Sequence, residues 1–205
     1  TYLEAHSIYG VMCLLKPRGI DGTATYKSVI IAKKDSSISK LSELKGSKVA
    51  FSATKSTSGN LIPRYMLANN GIHLNELNRY ANFDYHDSVV KAVLKGQYDA
   101  GAVRESVAKK YMPLGIKVIA TSELIPTGPL AISKRLPQQV AEDIKKALLL
   151  LDPGKPEHVK ILKRFDDDLK NGFMEASDND YLGIRSKINA VPETCGIGCH
   201  PKIKL

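Results

Sequence analysis

The sequence predicts an α/β protein of two lobes, with the second lobe inserted into the first. Three observations carry this reading. Apolar strand-like runs alternate with segments of helical period along most of the 205 residues. A compact α/β block at about 48–122 is flanked on both sides by strand-containing segments. The chain therefore crosses between blocks twice, as an insertion requires. The expected division is 1–46 with 124–190 for the first lobe, 47–123 for the inserted lobe, and 191–205 for a tail.

The elements follow in order. "YGVMCLL" (9–15) and "YKSVIIAKK" (26–34) read as strands, and "ISKLSELKG" (38–46) as a short helix ended by Gly46. "KVAFS" (48–52) is a strand, followed by a hydroxyl-rich loop and a helix reaching about Asn69, with Gly71 as its cap. Pro63 fits only the first helical turn, so the helix starts near Ser58 to Asn60. Its predicted core stripe is Leu61, Ile62, Tyr65, Met66 and Leu67. "RYANFDY" (79–85) is a strand, and Asp87 or Ser88 caps the next helix, which turns Val89, Val90, Val93 and Leu94 inward. Strands at 98–103 and 117–123 enclose the helix "ESVAKKYM", and beyond Pro137 the chain reads as mostly helical.

Composition narrows the partners. Thirty Lys+Arg against 21 Asp+Glu give a net charge of +9, which favours anionic partners. The basic residues are spread, with no run of five like charges, and this argues against nucleic acid. No stretch approaches the roughly 18 apolar residues of a membrane span. The chain begins at Thr1 with no visible signal peptide, and reads as a mature or trimmed product. Of the three cysteines, Cys13 lies in the apolar run "VMCLL" and reads as a small core residue.

The loop "SATKSTSGN" (52–60) raises the functional question. Its Ser56, Thr57 and Ser58 offer rotatable hydroxyl donors where a strand hands over to a helix. A helix start has unpaired N–H groups and a positive dipole end, and Gly59 lets backbone approach closely. The spacing is not that of a P-loop. His86 precedes a second helix start and adds an imidazole donor. Two such starts in one block point to a shared anion site, while an ordinary Ser/Thr cap and a surface His are the plain alternative. There is no Gly-x-Ser-x-Gly elbow, and Asp87 reads as a helix cap rather than as an orienting acid, so the chain is not expected to be an enzyme.

These residues resemble a family. "STSGNLIP" (56–63), His86–Asp87 before "SVVKAVLKGQYDAGAV", and "LIPTGPLAIS" (124–133) are similar to the phosphonate/phosphate/phosphite substrate-binding proteins of ABC importers. The resemblance extends from about residue 1 to about 190. It implies a type 2 periplasmic-binding-protein fold, an extracytoplasmic location (periplasmic or anchored at the cell surface), a small oxyanion ligand and a membrane permease as partner. In that family the Ser-Thr-Ser run and the His hold the phosphoryl or phosphonyl oxygens, which carries over to Ser56, Thr57, Ser58 and His86. Tyr26 stands where the family has a cleft tyrosine, and is equally read as a strand-edge aromatic.

Three departures follow. Glu105 falls where aminoalkylphosphonate binders place one ammonium-binding carboxylate, but Gly128 stands where the second belongs. The expected ligand is therefore phosphate, phosphite or a simple phosphonate. The chain also enters about three strands into the family's first lobe, so that lobe is expected to be truncated at its N-terminus, with a homodimer through the open edge as one outcome. Third, the tail carries Cys195-x3-Cys199-His200, which admits a disulfide or free thiols, then covalent haem, then a metal, in that order of preference. No other cofactor is expected. The competing functions are a ligand-sensing extracytoplasmic domain of a signalling protein and a haem- or redox-linked variant using the tail.

Overall fold

The computed structural model describes residues 1–191. Cys195, Cys199 and His200 therefore lie outside the described residues. The chain divides into two compact units, Thr1–Tyr26 with Pro126–Arg185, and Lys27–Ile125 with the described residues 186–191. The second unit begins at Lys27, well before the boundary at 46/47 expected from sequence. The reason is that the strand at 28–33 belongs to the second unit's sheet rather than to the first lobe.

The first unit opens with α1 (Tyr2–Tyr9) and β1 (Met12–Pro17), and reaches β2 (Thr25–Tyr26). Helix α1 was not foreseen, and it forms because Thr1 caps it and Gly10 ends it at φ 64°. The second unit contains β3 (Ser28–Lys33), β4 (Lys48–Phe51), α2 (Ile62–Asn69), β5 (Arg79–Asn82) and α3 (His86–Leu94). It continues with β6 (Ala100–Arg104), α4 (Glu105–Tyr111) and β7 (Ile116–Thr121). The chain passes β8 (Ile125–Pro126) and returns to the first unit through β9 (Leu130–Ile132), α5 (Gln138–Leu149), α6 (Pro156–Leu162) and β10 (Phe173–Glu175). Helix α7 (Leu182–Ala190) closes the described chain. The expected helix at 38–46 is only a 3-10 turn, Leu41–Leu44, closed by Gly46 at φ 74°.

In the first unit β1 is the centre of an antiparallel sheet, between β10 and β9. Leu14, Leu15, Ala141, Leu162 and Phe173 form its core. In the second unit five strands run in the order β5-β4-β6-β3-β7. Strand β4 is parallel to β5 and β6, whereas β3 pairs antiparallel with β6 and β7.

Strand β3 shows why an apolar run becomes a central strand. Val29 and Ile31 enter one core cluster with Val89, Val90 and Val93 of α3, while Ile30 enters the cluster of Leu67 and Phe51 on the opposite face. The alternation follows the two-residue period of a strand. Because helices cover both faces, the strand reads as continuously apolar instead of alternating. Each fully buried Ile or Val contributes about 1.5–3 kcal/mol of transfer free energy.

Helix α2 departs from the expected stripe. It is preceded by a π-helical turn, Thr57–Leu61, and its buried residues are Ile62, Pro63, Arg64 and Leu67, with Tyr65 and Met66 only half-buried. A π turn adds a residue to the helical repeat and rotates everything after it. Arg64 is thereby turned inward, where its guanidinium lies 5.4 Å from the Phe51 ring centre and 5.9 Å from that of Tyr80.

Gly101 of β6 lets α3 seat on the sheet. A Cβ there would stand 2.6 Å from Val89 Cγ1 and 2.9 Å from Val93 Cγ2. Gly101→Ala should destabilise the protein by about 1–3 kcal/mol, the usual cost of overpacking. Chemical denaturation measures this, and an unchanged midpoint would mean that α3 can shift at no cost.

Candidate functional site

The site is set by a shared sheet edge within the second unit. In the parallel pair β4/β5, Phe51 stands opposite Asn82, so the two strands end level. The chain leaving β4 enters the π turn, and the chain leaving β5 enters α3 at His86. Both helix starts therefore open at the carboxyl ends of neighbouring parallel strands, the usual ligand edge of α/β sheets.

The two starts meet at Gly59. A Cβ on this residue would lie 2.1 Å from Ser52 Cβ and 2.8 Å from His86 Cε1. The His86 ring thus packs directly on the hydroxyl turn, and only a glycine permits it. Ser56 is the N-cap, its Oγ accepting from Gly59 N at 3.0 Å, which leaves the Ser56 O–H proton to be donated elsewhere. Among the described residues, the N–H groups of Thr57 and Ser58 have no backbone acceptor. Ser56 and Thr57 are half-buried and Ser58 is buried.

His86 is held as a donor. The N–H of Arg104, at the end of β6, donates to His86 Nδ1 at 3.3 Å. Nδ1 is therefore the acceptor, and in the neutral ring Nε2 carries the proton. Burial and then the Arg104 charge push the imidazole below its ordinary value of 6.5, with Asp87 acting the other way. A bound anion would oppose both effects.

The expected cap at Asp87 or Ser88 is not formed. The N-cap of α3 is Tyr85, with no side-chain hydrogen bond. Asp87 instead accepts from Tyr111 Oη at 2.6 Å and Lys110 Nζ at 3.1 Å on α4, and these two bonds hold its carboxyl below the usual range. Glu105 lies at the start of α4 with its carboxylate 3.3 Å from Lys109 Nζ. Tyr26 is half-buried at the end of β2 in the other unit. Gly128 offers no side chain.

Sequence reasoning missed the supports of the site. Asn82 Nδ2 donates to the Ser52 carbonyl at 2.8 Å, tying the end of β5 to the end of β4. Ser28 Oγ donates to the Ser58 carbonyl at 2.6 Å from within β3. Ser28 is the single serine in "YKSVIIAKK", and a lone serine in a buried apolar strand is the available signal. A cavity of about 500 Å³ also occurs in the first unit, lined in part by Arg18, Leu149 and Phe173. There the Arg18 guanidinium is directed at the carbonyls of Phe173 and Gly22, a structural use of its donors. Among the described residues no group of three or more His, Cys, Asp or Glu could hold a metal, and no helix is long and apolar enough to cross a membrane.

The class of protein is that of the two-unit α/β folds with helix starts opening at a parallel sheet edge, and comparison identifies the family. A family model, described as the phosphonate periplasmic substrate-binding protein of ABC transporters, matches residues 1–181, and the chain belongs to this family. It is 26% identical over 187 residues to a probable ABC transporter phosphite binding protein, PhnD1, of Prochlorococcus marinus MIT 9301. It is 32% identical over 179 residues to the phosphonates-binding periplasmic protein of Escherichia coli K12. These alignments take in 81% and 80% of this chain but only 62% and 51% of the two relatives. The solved structure of PhnD1 in complex with methylphosphonate aligns with a TM-score of 0.72 at 23% identity, covering 88% of this chain and 71% of that one. The binding protein component of an ABC phosphonate transporter from Pseudomonas aeruginosa aligns with a TM-score of 0.69 at 24% identity, covering 92% and 67%. The fold is that of the two-lobed periplasmic binding proteins.

The His86 environment predicts a pH dependence. With the folded value depressed, the unfolded chain binds more protons between the two values, so stability rises with pH there. The contribution is complete above about 6.5, the unfolded value, and is lost as pH falls towards the folded value. Denaturation free energies of the wild type should therefore decline below about pH 6.5, and His86→Gln should remove that part of the slope. Parallel profiles for the two proteins would refute the buried, neutral imidazole.

Proposed function

We propose that this chain captures a phosphorus oxyanion, either phosphate, phosphite or a simple phosphonate, as the substrate-binding component of an ABC importer. It would act outside the cytoplasmic membrane and deliver its ligand to a permease. The observation that supports this reading is the packing of the His86 ring on Gly59, the residue that directly follows the Ser56–Ser58 hydroxyls. Family membership supports the ligand class and the transport role.

The chemistry of the donors fits such a guest. Hydroxyls, backbone N–H groups and an Nε2–H form a set of neutral donors, suited to the several oxygens of a tetrahedral anion. Glu105 pairs with a lysine on its own helix, and Gly128 contributes no carboxylate, so nothing here favours an ammonium-bearing ligand. Nor does the site offer a nucleophile and base. Asp87 is turned towards Tyr111 and Lys110 and does not orient the His86 ring, whose Nδ1 is occupied by a backbone N–H.

Calorimetric titration with phosphate, phosphite and methylphosphonate tests the reading. His86→Ala and Ser56→Ala should each weaken binding of the preferred anion by about 1–3 kcal/mol, the cost of leaving its oxygens without partners. Unchanged affinity in both variants would remove the site. Thermal shift with the same anions ranks them, since a ligand at 100 times its Kd stabilises the folded state by about 2.7 kcal/mol.

A further inference from the structure

The turn bearing Ser56–Ser58 carries a backbone problem written into the sequence. In a π turn each carbonyl accepts from the N–H five residues on. Ser56 O takes Leu61 N at 3.1 Å, and Thr57 O takes Ile62 N. The next donor in this series is Pro63, which has no N–H. It stands five residues after Ser58 and four after Gly59, so a π repeat leaves the Ser58 carbonyl without a donor and an α repeat leaves that of Gly59 without one. Both residues are buried, where an unpaired carbonyl is costly.

Two donors outside the helix take these carbonyls. Ser52 N donates to Gly59 O at 2.7 Å, and Ser28 Oγ donates to Ser58 O at 2.6 Å. Ser28 has no exposed surface, and its own backbone is fixed on both sides by Ser122. Its N–H reaches Ser122 Oγ at 3.0 Å, and its carbonyl accepts from Ser122 N at 2.9 Å. The other side of the peptide that Ser28 grips is the Gly59 N–H, which donates to Ser56 Oγ.

We infer that Ser28 and Pro63 are positioning residues for the anion site. Pro63 withholds the N–H that would draw the Ser58 carbonyl into the helix by continuing the π repeat, or the Gly59 carbonyl by an α bond. Ser28 then anchors the Ser58–Gly59 peptide, and this peptide fixes Ser56 Oγ as an acceptor whose own proton faces the ligand. The three groups form a relay, from Ser28 O–H through the peptide to Ser56, in which each bond polarises the next. The inference rests on Ser56 to Ser58 and His86 being the anion site.

The test uses the full chain, with Ser28→Ala, Ser28→Thr and Pro63→Ala titrated with inorganic phosphate and methylphosphonate. Amide hydrogen exchange is followed in the unliganded proteins. Ser28→Ala should weaken binding of the preferred anion about tenfold and speed exchange at Gly59, leaving the amides of β1 and β7 unchanged. Ser28→Thr, which keeps the hydroxyl, should restore binding to within about threefold of wild type. Pro63→Ala, which returns the missing N–H, should weaken binding at least threefold while the protein stays folded (an estimate on the order of one hydrogen bond). Wild-type affinity in Ser28→Ala, or equal loss in the Thr and Ala variants, would overturn the relay. Should Ser28→Ala not fold, undiminished binding in Pro63→Ala would overturn it alone. If the wild type binds neither anion, the proposed function falls, and the anchoring stands or falls on Gly59 exchange in Ser28→Ala.

Discussion

The parallel pairing of β4 with β5 is the constraint on which the rest of the second unit depends. Because Phe51 and Asn82 are paired, both strands release the chain at the same edge and at the same height. The two segments that follow start helices side by side. Two sets of unpaired N–H groups and their dipole ends are then concentrated in a small volume. Such a volume repels cations and needs either water or an anion to complete it. Asn82 reinforces the geometry by bonding the Ser52 carbonyl across the strand ends.

Close approach is the second condition, and it is steric rather than electrostatic. The His86 ring reaches the hydroxyl turn only because residue 59 lacks a side chain. The same economy appears one strand over, where Gly101 admits Val89 and Val93 of α3. Helix α3 must sit close to the sheet for its first residue to lean over the turn. Packing of the valines in the core and placement of the imidazole at the edge are thus one requirement. A bulkier residue at 101 would be felt at the site as well as in the core.

Much of this was legible in the sequence because it rests on local chemistry. The Ser-Thr-Ser-Gly run, the helix starts and the apolar strand "SVIIA" follow from residue types and their spacing. What was not legible depends on long-range pairing. The sequence gives no local sign that β3 joins β6 and β7, so the boundary between units was placed after 46 instead of after Tyr26. The π turn was hidden because Pro63 signals a helix start without specifying the repeat before it. Its extra residue turned Arg64 inward and moved Tyr65 and Met66 partly out. Asp87 looked like a cap because capping is the commonest use of such a residue. Its actual partners, Tyr111 and Lys110, come from a helix more than twenty positions later.

The same long-range bonds decide between holding an anion and attacking a substrate. Serines beside a histidine describe a binding site and a hydrolase equally well by composition. The difference lies in which ring nitrogen is occupied, and by what. A hydrolytic histidine needs a carboxylate at one nitrogen and a free lone pair at the other, facing the hydroxyl whose proton it removes. Here the backbone N–H of Arg104 occupies the Nδ1 lone pair, so in the neutral ring Nε2 bears a proton and can only give a hydrogen bond. Burial and the Arg104 charge keep the ring in that neutral state near pH 7. Ser56 is likewise fixed as an acceptor from Gly59, with its proton left for a guest. Nε2 of His86 and the free proton of Ser56 are thus both left as donors at this edge, the disposition on which the proposed anion site rests.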